Sequence, residues 1–303
     1  MNKIKNKDMS KNMDKDMNKK IVVIGLSGES VFLNIDHMNN DGETVKANNK
    51  NTEPGGKGYN QAVALGKLGA NVSFITALGN DSYKDECIRV LREHNVKEYI
   101  IDKTIPSSYA VIIVDNNANN NVIVYPGASS AVTFDDILKF ESVLESADIV
   151  LIQNEYPENV TKEIINYCYL KKKTIVFNPA PKCGLDKEVL KKVTYLTPNE
   201  YEFTQIDSHE DLKIICTQGS RGVKYIFNNE EKLYRACKVD ALDTTGAGDI
   251  FNAGFCFMLS KGKDLDEAIK FAICCSGHAV TKPGVIKALP SYEDVIKLLD
   301  NYK

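Results

Sequence analysis

Residues 149–178 read IVLIQNEYPENVTKEIINYCYLKKKTIVFN and spell one strand–helix–strand unit. Ile149–Ile152 is a short apolar run, as in a buried strand. A helix is expected over 158–171, closed by Lys171, Lys172 and Lys173, where cations suit the negative end of the helix dipole. Thr174–Asn178 is the second strand. The same alternation extends outward. A helix is expected over 134–146, then strands at Thr194–Thr197, Ile214–Thr217, Val223–Phe227 and Lys232–Arg235, then helices over 247–260, 265–280 and 292–301. Upstream, Ile21–Gly25 (IVVIG) is an apolar run that stops at glycine. Lys57–Leu68 sets Ala62, Ala64, Leu65 and Leu68 at helical spacing before Gly69, Val72–Ala77 is a strand and Tyr83–Glu93 a helix. Such alternation predicts an α/β fold of three layers, α/β/α, around a mostly parallel sheet. Val31–Val45, Tyr109–Val114 and Val122–Tyr125 break the pattern. The last two flank the polar turn DNNANNN as a hairpin, so residues 31–50 and 108–126 are expected to form a small projecting β-sheet.

The chain has 303 residues, enough to bury a large core. Its formal net charge of −3 calls for no nucleic acid. Residues 1–20, MNKIKNKDMSKNMDKDMNKK, lack the apolar stretch of a secretory signal and read as a loose tail before a unit over 21–303. No apolar run is long enough to span a bilayer. The cysteines, Cys183 among them, have no C-x-x-C spacing, and several sit in apolar runs, so a reducing cytoplasm is the simplest setting. His37, His94, His209 and His278 lie far apart and do not predict a zinc site.

Two glycine-rich segments carry the chemistry. Asp243-Thr244-Thr245-Gly246-Ala247-Gly248-Asp249 opens a helix, where bare backbone N–H groups and the helix dipole suit an anion. A carboxylate at that mouth would repel a bound phosphate. It makes sense if Asp249 takes a proton from an incoming hydroxyl while the N–H groups hold the developing charge. On its own, the segment fits an N-capping Asp on a glycine turn equally well. Glu53-Pro54-Gly55-Gly56-Lys57-Gly58-Tyr59-Asn60 also leads into a helix, and Lys57 and Asn60 are placed to meet hydroxyls or phosphate. Neither segment is a Walker A loop, and no G-x-G-x-x-G follows the first strand.

Together these segments resemble the two signatures of the ribokinase-like (PfkB) family of carbohydrate kinases. Gln153-Asn154-Glu155, Asn178-Pro179-Ala180-Pro181, Thr197-Pro198-Asn199-Glu200 and Thr217-Gln218-Gly219-Ser220-Arg221-Gly222 resemble further segments of its ribokinases, in the family's order from about Ile21 to the C-terminus. The resemblance implies that Asp249 is the base and that Gly246, Ala247 and Gly248 form the anion hole. Gly56, Lys57, Asn60 and Glu155, with Asp249, would hold the sugar. Asn199 and Glu202 match an N-x-x-E element that supports Mg²⁺ and phosphate, Glu202 indirectly. Thr217, Gly219, Ser220 and Gly222 would border ATP, with Asn199 and Gly248. Asp243, Thr245, Ala279, Lys282 and Gly284 match the ligands of a monovalent cation, usually K⁺, several through backbone carbonyls. A cation there would stiffen the anion-hole loop and add positive field.

Two departures bear on specificity and shape. The family's ribokinases carry Asn-x-Asp near the end of the first strand, where both side chains grip ribose; here the positions read Gly28-Glu29-Ser30. Gly28 is expected to leave room, so that ribose binds poorly or a ligand bulkier at that end is preferred, with Glu29 able to enter by a one-residue shift. Phe203–Leu212 is short where the family has a full helix, near the minimum for a parallel crossover. The resemblance therefore implies an ATP-dependent kinase acting on a primary hydroxyl of a small sugar. A nucleoside or other hydroxymethyl kinase is the alternative, and a non-catalytic sugar sensor would have little use for Asp249. An apolar lid face carrying Val111, Ile113 and Val122 predicts a homodimer joined lid to lid.

Overall fold

The computed structural model describes residues 18–117, 120–181, 184–206 and 211–302; Cys183, His209 and most of the expected tail lie outside them. The main sheet is built around β1 (Ile21–Ile24), whose four side chains are fully buried. Ile21 and Val23 point into the core on one side of the sheet, Val22 and Ile24 into the core on the other. That two-residue alternation on a strand buried on both faces is why the sequence reads as an unbroken apolar run. Each such side chain contributes about 1.5–3 kcal/mol on burial.

In chain order the strands are β1, β2 (Gly28–Asn34), β3 (Asn49–Gly55), β4 (Val72–Gly79), β5 (Lys97–Lys103), β6 (Ser108–Val114), β7 (Asn120–Tyr125), β8 (Ile149–Gln153), β9 (Thr174–Asn178), β10 (Tyr195–Leu196), β11 (Ile214–Thr217), β12 (Val223–Phe227) and β13 (Glu230–Tyr234). The main sheet runs β13-β12-β11-β10-β9-β8-β1-β4-β5, parallel except at β12 and β13. The helices are α1 (Lys57–Lys67), α2 (Tyr83–Glu93), α3 (Phe134–Leu138), α4 (Glu141–Glu145), α5 (Glu158–Leu170), α6 (Lys187–Leu190), α7 (Glu200–Phe203), α8 (Ala247–Ser260), α9 (Leu265–Ala279) and α10 (Tyr292–Leu299). Residues of α1, α2, α8, α9 and α10 join the core on one face of the sheet; those of α3 to α6 join the core on the other. This is the expected three-layer arrangement.

The second sheet, β3-β2-β6-β7, is the expected lid, with different limits. It begins at Gly28, not 31, and ends its second strand at Gly55, so Gly28-Glu29-Ser30 and Glu53-Pro54-Gly55 both lie inside it. The expected apolar face is also redrawn. Val31, Val111 and Ile123 align across β2, β6 and β7, whereas Val122 pairs with Ile112 and therefore stands on the opposite face.

One other expectation changes. The helix over 134–146 is broken into α3 and α4 at Phe140, whose backbone leaves the helical region while its ring packs edge-on against Tyr99. β5 was not foreseen, because KEYIIDK mixes charge with apolar residues at an exposed sheet edge. Over the short crossover, α7 supplies one helical turn, and a groove lined by Leu185, Leu190, Leu196 and Ile206 opens beside it.

Candidate active site

The site lies where α1 and α8 begin, at the carboxyl ends of the central strands. Gly56 caps α1 with φ +107°, and its Cα lies so close to Leu26 that a Cβ would meet the Leu26 carbonyl oxygen at 2.4 Å. The first amides of α1 are satisfied by Glu155. Lys57 N and Gly58 N donate to its carboxylate at 2.9 Å each, and Leu26 N at 3.2 Å. Burial pushes the Glu155 carboxyl up to about 7, against those bonds and the Lys57 charge. The immediate partners of Glu155 are thus the backbone of the glycine turn, which it holds against the end of β1.

Gly246 turns the chain into α8 with φ +72°, the left-handed conformation. No side chain caps that helix, and the space a Cβ on Gly248 would enter is open to 4 Å. Ala247 N donates to Thr244 O at 3.2 Å, but with no side-chain cap and open space at Gly248 the first turn still offers a seat for an anion. Asp249, 5% exposed, stands on the first turn. It accepts from Asn60 Nδ2 at 2.9 Å and from Gln61 Nε2 at 3.0 Å. Burial raises its pKa, opposed by the Lys57 ammonium and these two amides. Burial works against the charge on Lys57 too, but Asp249 and Glu155 more than offset it and hold the ammonium above its ordinary range. A buried carboxylate made more basic, beside an anion seat and a fixed ammonium, is equipped to accept a proton from a hydroxyl.

Gln61 and Gln153 extend this cluster. Gln153 Nε2 donates to Gln61 Oε1 at 2.6 Å, so Gln61 is turned to present its amide to Asp249. Asn252, one turn along α8, donates to Gly248 O at 2.9 Å and accepts from Thr197 Oγ1 at 2.6 Å. The signal for Gln61 was visible: two adjacent amides, Asn60-Gln61, interrupt the apolar face of a helix.

On the other side, Asn199 and Glu202 bind each other. Glu202 N donates to Asn199 Oδ1 at 2.8 Å, and Asn199 N and Nδ2 return to the Glu202 carboxylate at 2.9 and 3.0 Å, a reciprocal capping box on α7. The element keeps its carboxylate near the centre all the same. Burial raises the Glu202 pKa, while its charge is felt by Lys57 and Asp249. Asn199 pairs with Thr217 at the end of β11, and Gly219-Ser220-Arg221 forms a turn that Gly222 leaves at φ +101°. Thr217, Gly219, Ser220 and Gly222 therefore line one edge together.

The residues matched to a monovalent cation also converge. Asp243 Oδ1 accepts from Thr245 N and Oδ2 from Gly284 N, both at 2.9 Å. Asp243 N and Leu242 N donate to Val280 O, one residue beyond Ala279. Lys282 belongs to the same turn, its amide donating to Ala279 O at 3.1 Å and its Nζ lying 3.0 Å from His278 Nε2. An anionic loop closed against a carbonyl-rich turn fits a cation.

At Gly28 the expected vacancy is absent. A Cβ there would meet the Ser108 carbonyl oxygen at 2.1 Å, so β6 fills that space. Nor can Glu29 replace an anchor. β2 pairs without slippage from Gly28 to Asn34 on both sides, and Glu29 stands on the opposite face, where its charge acts on Tyr83.

The pfkB carbohydrate kinase family model matches residues 18–291. The chain belongs to that family. It is 35% identical over 291 residues to the ribokinase of Bacillus subtilis, covering 93% of this chain and 99% of that one. The deoxyribokinase of Salmonella typhimurium is 28% identical, covering 90% and 96%. The ribokinase structure from Thermotoga maritima superposes with a TM-score of 0.84 at 34% identity, covering 93% of this chain and all of that one. This PfkB chain is a carbohydrate kinase with the three-layer fold and accessory sheet of its structural neighbours. Among the described residues no helix is long and apolar enough to cross a membrane.

Proposed function

We propose that this PfkB kinase transfers the ATP γ-phosphoryl to the primary hydroxyl of ribose or a related pentose. The observation that carries this reading is Asp249, buried at an uncapped helix mouth and aimed by Asn60 and Gln61. Asp249 accepts the hydroxyl proton as the oxygen attacks. The amides of Gly246, Ala247 and Gly248 take up the charge that spreads over the transferring phosphoryl, and Lys57 adds a fixed positive charge. Asn60 Oδ1 is buried with no hydrogen-bond partner, so it is free to accept from a sugar hydroxyl. Gly56 and Lys57 border the same sugar, and Glu155 holds their turn.

ATP lies along Thr217, Gly219, Ser220 and Gly222, its phosphates running toward Gly248. Asn199 and Glu202 would face Mg²⁺ from that side, where it would neutralise phosphate charge. Asp243, Thr245, Ala279, Lys282 and Gly284 would hold K⁺ behind the anion hole. The described cysteines are free, which suits a reducing cytoplasm. The enzyme is a homodimer joined through its lid.

The sugar side retains Asn60, Lys57 and Asp249 but has Gly28 and Ser30 where two ribose anchors stand in relatives. A pentose lacking one hydroxyl loses less here than in a site with both anchors, so 2-deoxyribose is a natural competitor of ribose. The experiment is ADP release from ATP with ribose, 2-deoxyribose, other pentoses, hexoses and nucleosides. A pentose with the highest kcat/KM supports the reading. A preference for nucleosides, or no turnover with any acceptor, overturns it.

A further inference from the structure

Glu53 lies on β3, two residues before the glycine turn of the sugar site, and is 6% exposed. Its Oε1 accepts from Val285 N at 2.9 Å. Its Oε2 is shielded from solvent and has no hydrogen-bond partner. A Cβ built on Gly284 would lie 3.5 Å from Oε2, and Gly284 N is itself bound to Asp243. Burial raises the Glu53 pKa, against the opposing pull of the Val285 and Ile286 amides and the Lys287 charge. Two carboxylates, Glu53 and Asp243, therefore meet on one short turn, 284–285. A buried carboxylate oxygen left without a partner is costly, and an atom closed to solvent suits an ion-sized ligand better than a sugar.

We infer that Glu53 is a ligand of the monovalent-cation site, its carboxylate delivered from the lid side to the turn held by Asp243. The inference rests on the cation site proposed above. It also gives that site a route to the chemistry. Val285, bound by Glu53, packs against Gly246 so closely that a Cβ there would lie 2.8 Å from its side chain. A cation shared by Glu53 and Asp243 would fix the lid strand, the 284–285 turn and the anion-hole glycine together. By linkage, sugar binding next to β3 and cation binding then strengthen each other.

The test is the melting temperature of the full chain titrated with KCl against tetramethylammonium chloride at constant ionic strength. K⁺ should stabilise the wild-type protein. Glu53→Gln keeps size and the Val285 bond but not the charge, and should need roughly tenfold more K⁺ or higher for the same shift; Glu53→Asp should fall between. If Glu53→Gln matches wild type, Glu53 is a neutral tether and the inference is overturned; it is equally overturned if wild type ignores K⁺. Should Glu53→Gln fail to fold, a wild-type crystal soaked in Rb⁺ decides the matter, since an anomalous peak out of coordination range of Oε2 overturns the assignment. Melting reads no catalysis, so a protein that binds K⁺ through Glu53 but phosphorylates no sugar would sink the kinase proposal alone.

Discussion

Asp249 carries two demands that pull against each other: a base must be able to hold a proton, and a residue beside an anion seat must not repel phosphate. Burial answers the first by raising its pKa, and Lys57 with the Asn60 and Gln61 amides answers the second by compensating its charge. Asp249→Asn should therefore lower kcat by roughly 10²–10⁴-fold with ATP binding retained, read by steady-state kinetics and calorimetry. Gln61→Ala removes one donor from Asp249 and the acceptor of Gln153, and a lost bond to a charged group should cut kcat by about 10–100-fold. Glu155 gives a pH signature. Its folded pKa of about 7 lies above the ordinary carboxylate value, so the folded protein keeps a proton that the unfolded chain has released. The stability it contributes is present in acid and is lost as pH rises toward 7. Urea unfolding at pH 5 and pH 8 should show that fall, and Glu155→Gln should flatten it by up to about 3 kcal/mol. At this scale the glycines, Lys57, Asn60 and Asp249 were legible because their types and order form a pattern. Gln153 and Glu53 were not, because their importance comes from partners 92 and 232 positions away in sequence.

At the scale of elements, the strands buried on both faces were the most legible, since a continuous apolar run reports burial directly. Tyr83–Glu93 and Ala247–Ser260 were placed to the residue by clear helical spacing and glycine or polar starts. β3 and β5 escaped because each lies at a sheet edge and shows no clean alternation: NKNTEPG and KEYIIDK owe their extended form to pairing with β2 and β4. The break at Phe140 escaped because the packing of one ring on Tyr99 decides it. The same dependence on neighbours governs Gly28, where sequence alone suggested empty space and β6 fills it. Gly28→Asn, which puts back the family's anchor, should not restore a ribose contact. It should push Ser108 away and destabilise the protein by about 1–3 kcal/mol, with sugar KM rising. A variant with unchanged melting temperature and tighter ribose binding would contradict this account of the strand pair.

At the scale of the molecule, the main sheet is covered on both faces but the lid is not. Val122, Ile123, Val124 and Tyr125 on the edge strand β7 are 53–64% exposed, four consecutive large apolar residues in one run. An exposed apolar edge strand is an invitation to pairing that proteins normally blunt with charge or proline. Asn120 and Asn121 open the strand and Pro126 closes it, but no charge or proline stands among Val122–Tyr125, so β7 carries no such guard along its middle. Ile123 shares its face with Val111, and Tyr125 with Tyr109, itself 39% exposed, so the lid presents a continuous apolar strip on that side. A second lid is the occupant that the symmetry of a homodimer would supply, since the same strip on both copies is self-complementary. The double substitution Ile123→Lys with Tyr125→Lys places two charges on that strip at exposed positions, where the folded monomer should lose no more than about 0.5 kcal/mol per site. Light scattering at micromolar concentration should give a dimer for the wild type and a monomer for the variant, with the main-sheet residues around Asp249 untouched. Because β2 and β3 carry Ser30 and Glu53 out of the sugar site into the same lid, the monomer should also bind sugar less tightly while its KM for ATP stays the same. A wild-type monomer, or a variant dimer with unaltered sugar KM, would show that the strip serves some other contact.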